Sequence, residues 1–298
     1  MKLKKYLVIL FSIFVVLSLT GCKGGIWNPN GIITAQEKDL FIIATVLMLL
    51  VVVPVIILTL WFAWRYREGA NAKYRPEWTH STALEVVCWG IPAILILVLG
   101  IMVWKTTHSL SPYKTLESDK KPLEIDVVAL DWKWMFIYPE ENIATVNYIK
   151  IPKDRPINFK ITSAAPMNSF FIPELAGQIY AMTGMTTQLH LIAENNGKYR
   201  GFSANYTGTG FAEMQFYAEV SDQKDYDSWV KEVRDGKHQA LTWDYFWSDL
   251  VKPSIGNPVA YYSDVDNNLF GDITMSYMMP NYKPGDMAKM GDMHHMDM

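Results

Sequence analysis

Three features of this 298-residue chain could do chemistry. Cys22 follows Leu19-Thr20-Gly21 at the end of a short apolar run, Tyr6 to Leu19, which is itself preceded by Lys2, Lys4 and Lys5. A basic start, an apolar stretch too short for a comfortable span and a Cys behind small residues make a lipoprotein signal. On that reading the Cys22 thiol receives a diacylglycerol, residues 1–21 are removed, and the mature chain begins at Cys22. Glu85 opens an apolar run from Leu84 to Trp104. A carboxylate inside a membrane is by default a functional hypothesis, although in a first helical turn the helix dipole favours an anion anyway. The third feature is the end of the chain, Met293-His294-His295-Met296-Asp297-Met298. Thioether and imidazole suit copper, but a short tract without fixed geometry holds metal loosely, so residues 281–298 read as a disordered tail.

Other chemistry is missing. The sequence holds no nucleophile–base pair, no phosphate-binding Gly loop and no paired catalytic carboxylates. A net charge of −3 without a basic stripe argues against nucleic acid. Cys22 and Cys88 are the two cysteines of the chain, so nothing beyond residue 88 can form a disulfide or offer a thiolate to a metal. His190 alternates with Leu189 and Leu191 and is expected on a solvated strand face; His80 and His108 fall at the water boundary of the apolar runs.

The elements that must carry these residues are legible from hydropathy. Residues 40–64 and 84–104 are each long enough to cross the ~30 Å hydrocarbon core, with Pro54 and Pro92 inside them and Trp61, Trp64 and Trp104 near their ends. Arg65, Arg67, Lys73 and Arg75 outweigh Glu68 and Glu77 in the intervening loop, 65–83, which places that loop in the cytoplasm. Residues 22–39 and everything from about 112 onward then face the periplasm, as an exported lipidated N-terminus also requires. Beyond residue 112, apolar and polar residues alternate at Leu123, Ile125 and Val127, at Ile157, Phe159 and Ile161, at Leu189 and Leu191, and at Ala212, Met214, Phe216 and Ala218. Pro and Gly punctuate these runs, so residues 112–220 read as a β-sandwich or barrel. Helical spacing follows at Tyr226, Trp229, Val230 and Val233 and again over Leu241 to Val251, making 221–280 an aromatic-rich helical extension.

Several segments together carry a family resemblance: Phe62-Ala63-Trp64-Arg65-Tyr66-Arg67, Trp104-Lys105-Thr106-Thr107-His108, Asp131-Trp132-Lys133-Trp134 with Phe136, Tyr138 and Pro139, and Met167-Asn168-Ser169-Phe170-Phe171-Ile172-Pro173. In these segments and in its order of parts, nearly the whole chain resembles subunit 2 of cytochrome bo-type ubiquinol oxidases. The resemblance implies a membrane α + β protein, with a two-helix transmembrane hairpin followed by a periplasmic cupredoxin-like sandwich. Related cytochrome c oxidases carry a binuclear copper centre in that sandwich. Here the first His position reads Asn168, the two thiolate positions read Ser203 and Thr207, the Glu position reads Asn205, the second His position reads Phe211, and Met214 alone survives. Hydroxyls do not replace thiolates at copper, so the site is expected to be lost, and with it any exchange of electrons with cytochrome c. Met214 can simply fill core space.

The resemblance further implies that quinol delivers electrons directly to haem in subunit 1. Haem and copper would be held there, and no cofactor in this chain. Trp132, Trp134, Phe136 and Tyr138 correspond to the region facing subunit 1 and are expected to dock or pack at that interface. Glu85, in Leu84-Glu85-Val86-Val87-Cys88-Trp89, resembles the carboxylate near the mouth of a proton-uptake path. The expected partners are haem-copper subunit 1, smaller membrane subunits and membrane lipid, with the chain multi-pass and lipid-anchored in a bacterial inner membrane. The rival reading is a copper-handling membrane lipoprotein using the Met/His tail.

Overall fold

The computed structural model describes residues 24–70, 77–116, 118–284 and 286. The signal segment with Cys22, the loop residues Lys73 and Arg75, and the tail from Met287 lie outside the described residues. The described chain forms two compact units, one of them Gln36–Lys114 and the other the flanking segments.

In the first unit the apolar runs become α1 (Ile32–Arg65, 34 residues) and α2 (Thr82–Ser109, 28 residues). At 1.5 Å per residue these are roughly 51 and 42 Å long, more than the hydrocarbon core needs. Both therefore run past the spans expected at 40–64 and 84–104, because helical hydrogen bonding continues through Glu37, Lys38 and Asp39 before the first span and Lys105 to His108 after the second. Pro54 and Pro92 lie inside continuous helices. Apolar side chains are exposed all round both helices, as a lipid solvent requires. At the end of α1, Arg67 stacks over the Trp64 ring at 5.1 Å and its Nη1 donates to the Trp64 carbonyl at 2.8 Å. This places a cation where the helix dipole is negative.

The second unit is a two-sheet sandwich. One sheet has the order β11-β3-β2-β1-β5-β8, built from β1 (Leu123–Leu130), β2 (Lys133–Tyr138), β3 (Ile143–Val146), β5 (Ile157–Ser163), β8 (Thr187–Leu191) and β11 (Ala260–Ser263). The other has the order β4-β10-β9-β6-β7, from β4 (Tyr148–Pro152), β6 (Asn168–Ile172), β7 (Ala176–Ala181), β9 (Gly197–Ser203) and β10 (Gln215–Ser221). Pairing is antiparallel except for β1 with β5 and β10 with β4. Alternate residues of β1 (Leu123, Ile125, Val127, Ala129) and of β2 (Trp134, Phe136, Tyr138) meet Phe170, Phe216 and Ile149 between the sheets. Phe170 and Phe216 stack at 5.2 Å, and Trp134 meets Phe170 edge-on at 5.3 Å. Gly201 is needed at its position, because a Cβ there would fall 2.1 Å from the Phe216 ring.

The extension departs from its purely helical expectation. Helix α3 (Gln223–Asp235) closes the inner core with Tyr226, Trp229, Val230 and Val233, at the spacing read from sequence. The chain then makes a short helical turn, Trp243–Tyr245, continuing as π-helix over Phe246–Leu250. It next supplies β11 to the free edge of β3 before α4 (Leu269–Met278). Tyr261 and Tyr262 favour a pleated strand, and β3 offers an unpaired edge that β11 covers. Together these pieces bury the outer face of the sheet: Val128, Leu130, Met135, Ile137, Ala144 and Val146 pack against Leu241, Phe246, Leu250, Tyr262 and Ile273. The N-terminal segment is also pinned to the sandwich. Asn30 N donates to the Glu174 carbonyl at 2.8 Å, Glu194 N donates to the Asn30 carbonyl at 2.8 Å, and Gly31 bridges Ala193.

His190 corrects its expectation: it is buried, because alternation assigns a strand face and not what covers that face. Met214 lies in a turn just before β10 and not within the strand.

Phe246 is fully buried in the outer cluster. Phe246→Ala should destabilise the periplasmic unit by about 3–5 kcal/mol in denaturant titration. Limited proteolysis should cut the variant within 237–281 before it cuts the sandwich.

Candidate functional site

The six positions that the resemblance aligns with copper ligands, Asn168, Ser203, Asn205, Thr207, Phe211 and Met214, gather at one end of the sandwich, where β6, the end of β9 and the turn before β10 meet. Asn168 opens β6 and Ser203 closes β9, and the pairing of Phe170 with Ser203 brings their side chains together. Ser203 Oγ donates to Asn168 Oδ1 at 2.8 Å, and Asn168 Nδ2 donates to the Pro166 carbonyl at 2.8 Å. Asn205 Nδ2 donates to the Met167 carbonyl at 2.8 Å, and Ser203 N to the Met214 carbonyl at 3.1 Å. Asn168, Ser203 and Met214 are buried. Phe211 sits in a 3₁₀ turn with its ring against Tyr206, 5.5 Å away. Thr207 contributes its carbonyl, which accepts from Trp132 Nε1 at 3.1 Å.

This donor set does not fit a binuclear copper centre. Carboxamide and hydroxyl oxygens are hard, neutral ligands; those of Asn168 and Ser203 bond each other, and Asn205 ties the loop to the start of β6 through its Nδ2. Met214 offers the one soft donor among the six positions, and its side chain belongs to the inner core. Hydrogen bonding thus fixes a loop that coordination would otherwise fix.

The aromatic cluster needs correction. Trp134, Phe136 and Tyr138 have no exposed surface and cannot touch another chain. They point inward from β2, and the Tyr138 hydroxyl bridges the sheets, donating to the Lys150 carbonyl and accepting from Lys150 N, each at 3.0 Å. Trp132 alone lies at the surface. It occupies the two-residue turn between β1 and β2 with φ of 61°, a conformation uncommon outside Gly, Asn and Asp. Its indole lies flat enough on Gly210 that a Cβ there would come within 2.3 Å of it. Exposed apolar side chains here include Met167, Tyr206, Tyr180 opposite Ser169, and Met185 in the loop after β7, which sequence reading missed; isolated apolar residues in loops carry no periodic signal.

Glu85 lies in the first turn of α2, at the fourth position after the N-cap Ser81. Its Oε1 is 3.2 Å from Nδ1 of His80. The two lie at the N′ and N4 positions, which a chain entering a helix brings side by side; apolar pairs use the same spacing as a staple. That spacing is the signal that could have linked them. A cleft of about 250 Å³, lined by Trp78, His80, Leu84, Glu85, Cys88 and Trp89, opens beside the pair.

Residues 237–281 match the family described as COX Aromatic Rich Motif. The chain is 52% identical over 263 residues to cytochrome bo(3) ubiquinol oxidase subunit 2 of Pseudomonas putida, spanning 88% of this chain and 83% of that protein. It is 47% identical over 264 residues to ubiquinol oxidase subunit 2 of Acetobacter aceti, spanning 88% and 85%. Among solved structures, the periplasmic domain of subunit II of cytochrome oxidase of Bradyrhizobium japonicum aligns at 21% identity and a TM-score of 0.37, covering 40% of this chain and 95% of that chain. A membrane hairpin, a β-sandwich and an aromatic-rich extension in this order define a subunit 2 of the terminal-oxidase class. The chain belongs to the ubiquinol oxidase subunit 2 family.

Gly210→Ala should force the Trp132 indole off the loop and cost about 1–3 kcal/mol. The expected readout is a changed near-UV circular dichroism band with unchanged far-UV signal.

Proposed function

We propose that this chain is a non-redox subunit of a proton-pumping ubiquinol oxidase that reduces oxygen to water in an aerobic respiratory chain. The observation that carries the reading is the Ser203–Asn168 hydrogen bond, which joins a thiolate position to an imidazole position of the copper centre of cytochrome c oxidases. Without that centre a subunit 2 has no entry point for electrons from cytochrome c, so quinol would deliver them to haem in a partner subunit 1, where haem and copper would be held. This chain would complete the complex, cover subunit 1 on the periplasmic side and meet smaller membrane subunits within the inner membrane. Trp132 and the exposed Met167, Met185 and Tyr206 are suited to that contact, since amphipathic aromatics and Met are enriched at interfaces. Cys22 would carry the lipid.

Glu85 would collect protons from the cytoplasm. It stands at the cytoplasmic end of α2 under the orientation set by the basic loop, in an open cleft that water can enter. His80 stands beside it, with Nδ1 3.2 Å from Glu85 Oε1.

Two measurements test these roles. Copper added to a chain ending at Asp286 should give neither a purple thiolate-copper chromophore nor tight stoichiometric binding; either result would overturn the non-redox assignment. Glu85→Ala should leave assembly and haem content intact while turnover falls about tenfold, equivalent to ~1.4 kcal/mol on the limiting barrier. Glu85→Asp should recover more activity than Glu85→Gln, since a titrating group is required. Wild-type oxygen consumption by the Ala variant across the working pH range would remove Glu85 from the proton path and leave the subunit assignment standing.

A further inference from the structure

A cleft of about 350 Å³ lies on the outer face of the six-stranded sheet, where β1, β2 and β5 meet the start of α4. None of the six positions aligned with copper ligands lines it. Its charged side chains are Glu124 and Asp126 from β1, Lys160 from β5 and Asp266 from the loop before α4. Three carboxylates therefore face one ammonium. Two of the three are engaged: Glu124 Oε2 accepts from Lys160 Nζ at 3.0 Å, and Asp266 Oδ2 accepts from Trp243 N at 2.6 Å. Asp126 is different. It is 8% exposed, and its Oδ1 is sealed from solvent without a hydrogen-bond partner. Lys160 is its register neighbour across the parallel β1–β5 pair, yet the Lys160 ammonium bonds Glu124 instead.

A buried ionised carboxylate without a donor is costly, and such groups are ordinarily paired. The first turn of α4 lines the cleft and gives that Oδ1 no N–H. A metal ion is a poor occupant, because no group of three or more metal-ligating side chains occurs among the described residues. The cleft volume also lies in the range of small organic-ligand sites.

We propose that this cleft is a binding site for one organic cation, an alkylammonium or guanidinium group that pairs with the Asp126 carboxylate through Oδ2, the oxygen that is not sealed from solvent. The cation belongs either to a free small amine or to a basic side chain of a partner chain. The aliphatic part of such a group would rest on Ile137, Val265 and Leu269, which line the same cleft. Burial pushes the Asp126 carboxyl up to about 6, opposed by Lys160 and reinforced by Glu124. Asn142, Asn267 and Asn268 complete the polar lining and do not titrate. The cation selects the ionised carboxylate. Binding should therefore be full above pH 6 and weaken as pH falls through it, by about tenfold at pH 5, where roughly one carboxyl in ten is ionised.

The test uses the full chain in detergent micelles, titrated calorimetrically with n-butylammonium chloride against sodium chloride at matched ionic strength. Saturable binding at pH 7.5 is expected, at least tenfold weaker in Asp126→Asn and at pH 5, and within threefold of wild type in Glu124→Gln. Absence of saturable binding, equal binding by Asp126→Asn, or an equal loss in Glu124→Gln, which signals diffuse attraction to acidic charge, overturns the proposal. Asp126→Asn removes a buried charge and should melt no lower than wild type; should it fail to fold, the pH series and Glu124→Gln decide. Repeating the titration on the assembled oxidase separates the sources. Binding there identifies a free amine, whereas its loss on assembly, with a carbodiimide cross-link from Asp126 to a lysine of another subunit, identifies a partner side chain.

Discussion

The β1–β2 hairpin is the constraint on which the rest of the periplasmic unit depends, because it is buried on both faces at once. Its inward residues, from Ile125 and Val127 to Trp134 and Phe136, fill the space between the sheets, while Val128, Leu130, Met135 and Ile137 on the other face require a second cover. That cover is the aromatic-rich extension. A sandwich with such a face bare would expose a contiguous apolar patch, which soluble surfaces rarely tolerate. Strand β11, the turns around Phe246 and helix α4 follow from this requirement, and so does the placement of Asp126, where the apolar cover ends.

The six positions compared with copper ligands show how hydrogen bonds can hold a loop that coordination holds elsewhere. Coordination would anchor the chain between β9 and β10 through bonds to ligands on both sides. Here Asn168, Ser203 and Asn205 join the same segments through amide and hydroxyl bonds, and Trp132 holds the far side by lying on Gly210 and bonding the Thr207 carbonyl. Each such bond is worth about 1 kcal/mol net, far less than a metal bond, but several cooperate within a buried, well-packed frame. The strained φ of Trp132 is tolerated because the loop over-determines it.

Much of the fold was legible before any coordinates. The two spans follow from apolar length alone, and the core strands β1, β5, β8 and β10 from alternation at Leu123, Ile157, Leu189 and Phe216. Helix α3 sits where Tyr226, Trp229, Val230 and Val233 have helical spacing, and these four are its buried residues. The site was legible in part. Asn168, Ser203 and Met214 were recognised as degenerate positions, but their hydrogen bonding depends on the pairing of β6 with β9, which no local pattern encodes. Trp134, Phe136 and Tyr138 misled because an aromatic run every second residue reads equally as an interface or as a core.

The sequence by itself determined that no thiolate follows Cys88, so the residues beyond it offer none to a metal whatever the fold. It also determined the two long apolar helices, since they rest on a one-dimensional quantity, the length of apolar runs. Only the tertiary structure decided which strand faces are covered, that residues 260–263 join a sheet, that His80 reaches Glu85, and that Asp126 is buried without a donor for its Oδ1. Periodicity places a side chain on a face, but the free energy of that side chain is set by what lies opposite, and that neighbour is commonly distant in the chain.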